Sequence, residues 1–354
     1  MTGSTGAHVL HQPHLPIDAQ ELLSHSGVQA AGRRLEGLIR HTPTVRSDDL
    51  DRSSGARLWL KAENLQRGGS FKIRGALLAV ERLAASGSRG LVAQSTGNHA
   101  ISVALAARDH GLPAVLVLPC NAAPMKIRRI QDAGAEVILA GTVLAERMTI
   151  VDELRAERGL DVVDPYQDPY VVTGQGTATA ELLDQVDAAG GRLDSVVLPV
   201  GGGSAVAGAC LATAGPDGRR TVAVIAAEPA AVPALTQAMR SGHPVTVPVG
   251  TTIADGLRPD RIGQLPFDLA HGTVADVLMI EESEIAEAMC LALTHARLLV
   301  EPAAATALAA ALRLGRADDE IHDIGVVLTG GNVEAELVAR TLAEHAGRPT
   351  FPLT

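Results

Sequence analysis

The feature that most narrows what this chain can become is a rhythm. From Gly90 onward, short β-branched and aliphatic runs alternate with alanine-rich stretches of helical periodicity, each pair separated by Gly, Pro or Asp. Parallel strands need a crossover long enough to hold a helix, so this alternation predicts βαβ units. Leu91 to Gln94, Ala114 to Leu118 and Glu136 to Leu139 read as strands, with helices at Asn98 to His110, Pro124 to Ala133 and Leu144 to Arg158. A second series of buried strands follows at Ser195 to Val200, Thr221 to Ala227, Val274 to Ile280 and Gly325 to Leu328. The Gly-, Pro- and Thr-rich stretch from Ser241 to Gly263 reads as an irregular loop or rim, and Val333 to His345 as a last helix. Aromatic residues are only 2% of the 354 against 46% hydrophobic and 36 glycines, so the core must be built from Ala, Val, Leu and Ile. Such small side chains suit helices laid closely on parallel sheets.

The expected organisation is a flexible N-terminal tail (1–20), a large lobe (21–89 and 167–346), a small lobe (90–166) and a short tail (347–354). No regulatory domain is expected after the last helix. Thirty Lys and Arg against forty Asp and Glu give a net charge of -10, a surface that repels phosphate backbones and anionic lipid, so no nucleic-acid partner is expected. The first 17 residues lack an apolar run and no stretch is long enough to span a membrane, so neither a signal peptide nor a membrane partner is expected. Cys120, Cys210 and Cys290 are odd in number and widely spaced, which predicts buried free thiols, no zinc and a cytoplasmic setting.

Four stretches carry candidate chemistry. Lys72 sits among small residues and an aromatic in Gly69-Ser70-Phe71-Lys72-Ile73-Arg74-Gly75-Ala76. A desolvated lysine there is an amine nucleophile, whereas a lysine snorkelling at a helix start has no chemical role. Gly201-Gly202-Gly203-Ser204 lies between a strand and the helical stretch Ala205 to Ala214. Successive N–H groups at such a place cradle an anion, although a tight turn explains the glycines equally well. The dinucleotide fingerprint fails because Val206 stands where its third glycine belongs, yet Glu228 ends the next strand where a ribose-binding acid would lie. Ser95-Thr96-Gly97-Asn98-His99 offers hydroxyls, an amide and a helix start suited to a carboxylate, or simply a helix cap. Leu328-Thr329-Gly330-Gly331-Asn332 ends a strand with a hydroxyl, or is a plain turn.

Together these are the parts needed to hold pyridoxal 5'-phosphate with an amino acid. From about Leu38 to Glu344 the chain resembles the fold-type II pyridoxal-phosphate enzymes, and among them the serine/threonine dehydratase (threonine ammonia-lyase) and serine racemase group. The resemblance rests on Lys61-Ala62-Glu63-Asn64, Gly69-Ser70-Phe71-Lys72, Ser95-Thr96-Gly97-Asn98-His99, Gly174-Gln175-Gly176-Thr177, Gly201-Gly202-Gly203, Ala227-Glu228-Pro229, Thr252-Ile253-Ala254-Asp255-Gly256, Glu301-Pro302-Ala303 and Thr329-Gly330-Gly331-Asn332, in that order. It implies an α/β fold of two lobes, tryptophan synthase β-like, with twisted, mostly parallel sheets covered by helices on both faces, and a homodimer. It also implies that Lys72 joins the cofactor covalently, Phe71 packs beside its ring, Asn98 bonds its 3'-oxygen, and Gly201, Gly202, Gly203 and Ser204 wrap its phosphate. Thr329 is then expected at the pyridine nitrogen, Glu301 near the ring, and Ser95, Thr96, Gly97, Asn98 and His99 around the substrate, with Thr96 a second catalytic group.

A neutral hydroxyl at the pyridine nitrogen makes the ring a weak electron sink, which favours prompt loss of a β-leaving group. The expected reaction is elimination of water from a small 3-hydroxy amino acid (L-serine, L-threonine or 3-hydroxyaspartate), giving a 2-oxo acid and ammonia, with the Lys72 amine moving the α-proton. Racemisation and β-replacement are the alternatives on the same scaffold; a non-catalytic pyridoxal-phosphate or dinucleotide-binding protein is the alternative of another class. Thr96 stands where racemases carry serine. Ala234 stands where metal-binding relatives carry an aspartate six residues after the acid of Glu228, so no metal is expected. Arg147 aligns with a racemase arginine able to meet a substrate acid, but a solvated helix face is the ordinary place for such a residue and is the reading adopted.

Overall fold

The computed structural model describes residues 21–215, 220, 222–317 and 322–345; the expected tails 1–20 and 347–354 lie outside them. Ten strands occur among those residues: β1 (Thr44–Val45), β2 (Arg57–Lys61), β3 (Leu91–Gln94), β4 (Ala114–Pro119), β5 (Glu136–Ala140), β6 (Asp161–Val162), β7 (Ser195–Pro199), β8 (Ala223–Pro229), β9 (Val274–Ile280) and β10 (Asp323–Val327). They form a four-stranded sheet ordered β5-β4-β3-β6 and a six-stranded sheet ordered β1-β2-β10-β7-β8-β9. Every pairing is parallel except that of β1 with β2. The α/β class with mostly parallel sheets is as expected. Strands β3, β4, β7 and β10 are buried along their whole length, as continuous apolar strands covered on both faces must be.

Two expectations need correction, and three strands escape the sequence reading. Val274 to Ile280 reads as a buried strand, but β9 closes the sheet with only β8 beside it and is largely exposed. Strands β1, β2 and β6, of two, five and two residues, carry too little pattern to be read from sequence. Cys120 is exposed because it follows β4 in a surface turn, while Cys210 and Cys290 are buried.

Both sheets reverse strand order once. In one, β3, β4 and β5 follow in sequence while β6 returns to the other side of β3; in the other, β7, β8 and β9 run one way while β10 lies on the far side of β7. Loops leaving the carboxyl ends of strands diverge at such reversals and open a crevice. Here those loops are Ser95–His99 after β3, Asp164–Tyr166 after β6, Gly201–Ser204 after β7 and Thr329 after β10.

Glycines bring the site-bearing helices into main-chain contact. The helix Lys72–Ala85 crosses Pro169–Ala188, where a Cβ on Gly174 would stand 2.6 Å from the Gly75 Cα. The same long helix meets Ser204–Ala212, where a Cβ on Gly176 would stand 2.6 Å from the Gly208 carbonyl oxygen. No side chain separates either pair. Two residues after Lys72, the Arg74 guanidinium is fully buried and all five of its N–H donors are used, on both oxygens of Glu63, both of Glu181 and the Thr177 hydroxyl. Such an arrangement fixes the helix end that carries Lys72. Among the described residues no helix is long and apolar enough to cross a membrane.

Candidate active site

A cavity of about 470 Å³ opens at the two strand reversals. Its wall brings together Phe71 and Lys72 from the first helix start, Ser95, Thr96, Asn98 and His99 after β3, Gly201 to Ser204 after β7, and Glu301 with Thr329. Gly97 is not on the wall. Its φ of 153° is one that L side chains rarely adopt, and a Cβ there would run into the Lys126 stem, so it shapes the loop rather than lining the cavity. The helices beginning at Lys72, Asn98 and Ser204 all start without a capping side chain. Their partly positive ends converge on one space.

The Lys72 Nζ donates to the Pro165 carbonyl at 3.0 Å and to the Ser204 hydroxyl at 2.9 Å. The second bond joins the amine to the glycine loop. Desolvation lowers the Lys72 pKa to about 8, against a smaller opposing pull from Asp164, so a useful fraction is the neutral nucleophile near neutral pH. A Cβ on Gly202 would collide with the face of the Tyr166 ring, so that ring is seated flush on the loop.

Across the cavity runs a buried polar web. Asn98 Nδ2 donates to Glu301 Oε1 at 2.6 Å, and Asn98 Oδ1 accepts from Asn332 at 2.9 Å. Burial pushes the Glu301 carboxyl up to about 7, with Lys126 opposing and Asp255 adding to the shift. Burial alone would lower the Lys126 pKa, but Asp255, bonded at 2.6 Å, and Glu301, 3.9 Å away, outweigh it and keep the ammonium charged. Thr329, 4% exposed, fixes the loop above Phe71 by accepting that residue's N–H at 2.9 Å through its carbonyl.

Three residues on the wall each carry a buried polar atom with no hydrogen-bond partner in the protein: His99 Nδ1, Arg147 Nε and Glu301 Oε2, the last of which has only the Lys126 ammonium 3.9 Å away. Unpaired buried groups are rare because each forfeits its solvation, so their gathering at one cavity indicates a polar ligand. The expectation of a solvated Arg147 is overturned. It is 5% exposed and lies on the cavity wall, its Nη1 donating to the Gly141 and Thr142 carbonyls at 3.2 and 2.9 Å. Arg147 shares the inward stripe of its helix with Val151 and Leu154, and the turn before the helix folds back over its guanidinium.

Glu228 does not face the glycine loop as a ribose-binding acid would. Its buried carboxylate accepts the N–H groups of Leu235 at 2.8 Å and Thr236 at 2.9 Å, capping the helix Ala234–Ser241. Burial raises its pKa, and those N–H groups oppose the rise. This contradicts the dinucleotide alternative at the one residue that supported it. Among the described residues no three His, Cys, Asp or Glu side chains gather as a metal site would require.

Sequence reasoning misses Lys126, Asp255 and Tyr166 as site residues. Lys126 sits on an amphipathic helix among other charged residues and gives no local sign of burial. Asp255 stands out only within a motif, and Tyr166 depends on β6, which is two residues long.

A buried low-pKa amine, a glycine-lined helix start for a phosphate and a neutral hydroxyl at a strand end fit a phosphorylated aldehyde cofactor. Comparison with known proteins agrees with this. The family model for pyridoxal-phosphate dependent enzymes matches residues 35–330. The chain is 36% identical to the serine racemase of Arabidopsis thaliana, over 89% of this chain and 94% of that protein. It is 35% identical to an L-threo-3-hydroxyaspartate ammonia-lyase of a Pseudomonas species, over 91% and 99%. The solved structure of a T.th. threonine deaminase superposes with a TM-score of 0.81 at 36% identity, covering 88% of this chain and 99% of that one. By fold, site and sequence alike, the chain belongs to the family of pyridoxal-phosphate dependent enzymes, and it is a lyase that uses that cofactor.

Proposed function

We propose that this lyase removes water from a small 3-hydroxy amino acid, with a β-carboxylated substrate of the 3-hydroxyaspartate type preferred over L-serine and L-threonine. The observation that carries the preference is the buried, unpartnered Nε of Arg147 on the cavity wall, a charged donor suited to a second carboxylate. Residues 90–166 form the substrate lobe in this reading, and residues 21–89 with 167–346 hold the cofactor.

Bound pyridoxal phosphate supplies the electron sink for the pair left at Cα. Phe71 would pack beside the ring, Asn98 would hold the 3'-oxygen, and Thr329 would meet the ring nitrogen as a neutral partner. Gly201, Gly202, Gly203 and Ser204 offer their N–H groups and a hydroxyl to the phosphate. Lys72, whose pKa burial lowers, is the base that would take the α-proton. Thr96 and the uncapped start of Asn98–Asp109 bind the substrate carboxylate. The β-hydroxyl leaves as water, and the released enamine hydrolyses to a 2-oxo acid and ammonia.

The test is release of 2-oxo acid and ammonia by the holoenzyme from L-serine, L-threonine and L-threo-3-hydroxyaspartate, with D-serine formation followed in parallel. The highest kcat/KM is expected on 3-hydroxyaspartate, and Lys72→Ala should abolish both cofactor absorption and turnover. No 2-oxo acid from any of the three overturns the proposal.

A further inference from the structure

His99 is the second residue of the helix Asn98–Asp109, is 2% exposed and lies on the cavity wall. Its Nε2 stands 2.9 Å from the Val163 carbonyl oxygen. A carbonyl only accepts, so Nε2 carries the hydrogen, and in the neutral ring Nδ1 is left as a bare lone pair. Desolvation, reinforced by the Lys72 charge, lowers the ring's pKa to about 3, so Nδ1 stays unprotonated at any pH where the protein works. Nδ1 is buried and has no partner in the protein. An acceptor cannot pair with a carboxylate, which brings only lone pairs. Any part His99 takes in holding the substrate carboxylate therefore falls to its main-chain N–H, and its ring requires a ligand group that donates.

A 3-hydroxy amino acid has two such groups. Its α-amine would be taken by the cofactor, which leaves the β-hydroxyl. We infer that His99 Nδ1 accepts the hydrogen bond of the substrate β-hydroxyl and so selects 3-hydroxy amino acids from those that lack one; the inference rests on the elimination reading above. A site built to bond a hydroxyl rejects analogues without it because its own polar atom is then left unpaired. The same bond turns the hydroxyl so that its lone pairs are free to be protonated as it departs, and the unprotonated His99 is not the acid that does so.

The experiment compares two substrates that yield the same products by elimination. L-Serine loses water and 3-chloro-L-alanine loses hydrogen chloride, and both give pyruvate and ammonia, but only serine has a donor for Nδ1. In His99→Leu holoenzyme, kcat/KM for L-serine should fall by about 10- to 100-fold while that for 3-chloro-L-alanine changes by less than about threefold. Turnover of the chloro substrate also reports that the variant is folded and loaded. His99→Gln retains a donor for the Val163 carbonyl and an acceptor on the same amide, and should recover most of the lost selectivity. Equal losses on the two substrates, or no loss on serine, overturn the inference alone. If wild-type holoenzyme makes pyruvate from neither, the elimination reading falls and takes this inference with it.

Discussion

Replacing Arg147 with methionine tests the substrate preference most directly. Methionine keeps much of the length of the side chain while removing the guanidinium. In the wild-type protein Nη1 is held by the Gly141 and Thr142 carbonyls, and Nε is the buried donor still without a partner. A hydrogen bond from such a group to a carboxylate contributes about 1.5–3 kcal/mol, which at about 1.4 kcal/mol per decade corresponds to a fall in kcat/KM of about 10- to 150-fold on 3-hydroxyaspartate. L-Serine has no second carboxylate and feels only the loosening of the 141–142 turn. That loosening is common to both substrates and cancels in the ratio of their kcat/KM values. The assay is oxaloacetate or pyruvate release by holoenzyme, with the absorption of bound pyridoxal phosphate confirming equal loading. A ratio unchanged within about twofold would refute the assignment of Arg147 to the substrate's side chain.

The Lys72 pKa of about 8, against an ordinary 10.5, makes the rate at which apoprotein captures pyridoxal phosphate climb with pH and level off above about 8; a climb continuing past pH 9.5 would contradict it. The same depression means that between pH 8 and 10.5 the unfolded chain binds more protons at this residue, so the apoprotein should gain stability from it as pH rises through that window. Arg74→Lys replaces five engaged donors by three and leaves the buried Glu63 carboxylate and the part-buried Glu181 short of partners, with an expected loss of about 3–5 kcal/mol in urea unfolding; a loss below about 1 kcal/mol would show that the cluster is not fixing the helix. Gly202→Ala must push the Tyr166 ring off the glycine loop, and about 1–3 kcal/mol of strain there predicts roughly 5- to 150-fold weaker cofactor retention on dialysis, with unchanged retention as the contrary result.

What the sequence disclosed, and what it hid, divides along a physical line. The Ser95 loop, the Gly201 loop and the Thr329 loop follow strands that are buried on both faces, and such strands announce themselves as apolar runs. Glycines at their ends mark the backbone conformations and close approaches that a ligand-bearing turn needs. Gly97 is legible as special for this reason, although the closeness it permits is to Lys126 rather than to a ligand. Lys126 and Arg147 are not legible, because both lie on helices whose charged patterns look solvated, and both are buried by segments distant from them in sequence or folded back over them. Glu228 misleads for the opposite reason. Its position at a strand end suggests a ligand, and the structure uses its oxygens to cap a helix seven residues on.

The contacts of Gly75 with Gly174 and of Gly176 with Gly208 have an effect on what the protein can accommodate. The gauge between Lys72 and the Gly201–Ser204 loop, the proposed anchor and phosphate seat, is set by main chain resting on main chain, with no compressible layer of side chains to take up a difference. A vitamin B6 analogue shortened by one bond in its phosphate arm must itself strain to reach both ends. Enlarging any of these four glycines should change which vitamers are accepted before it changes which amino acids are.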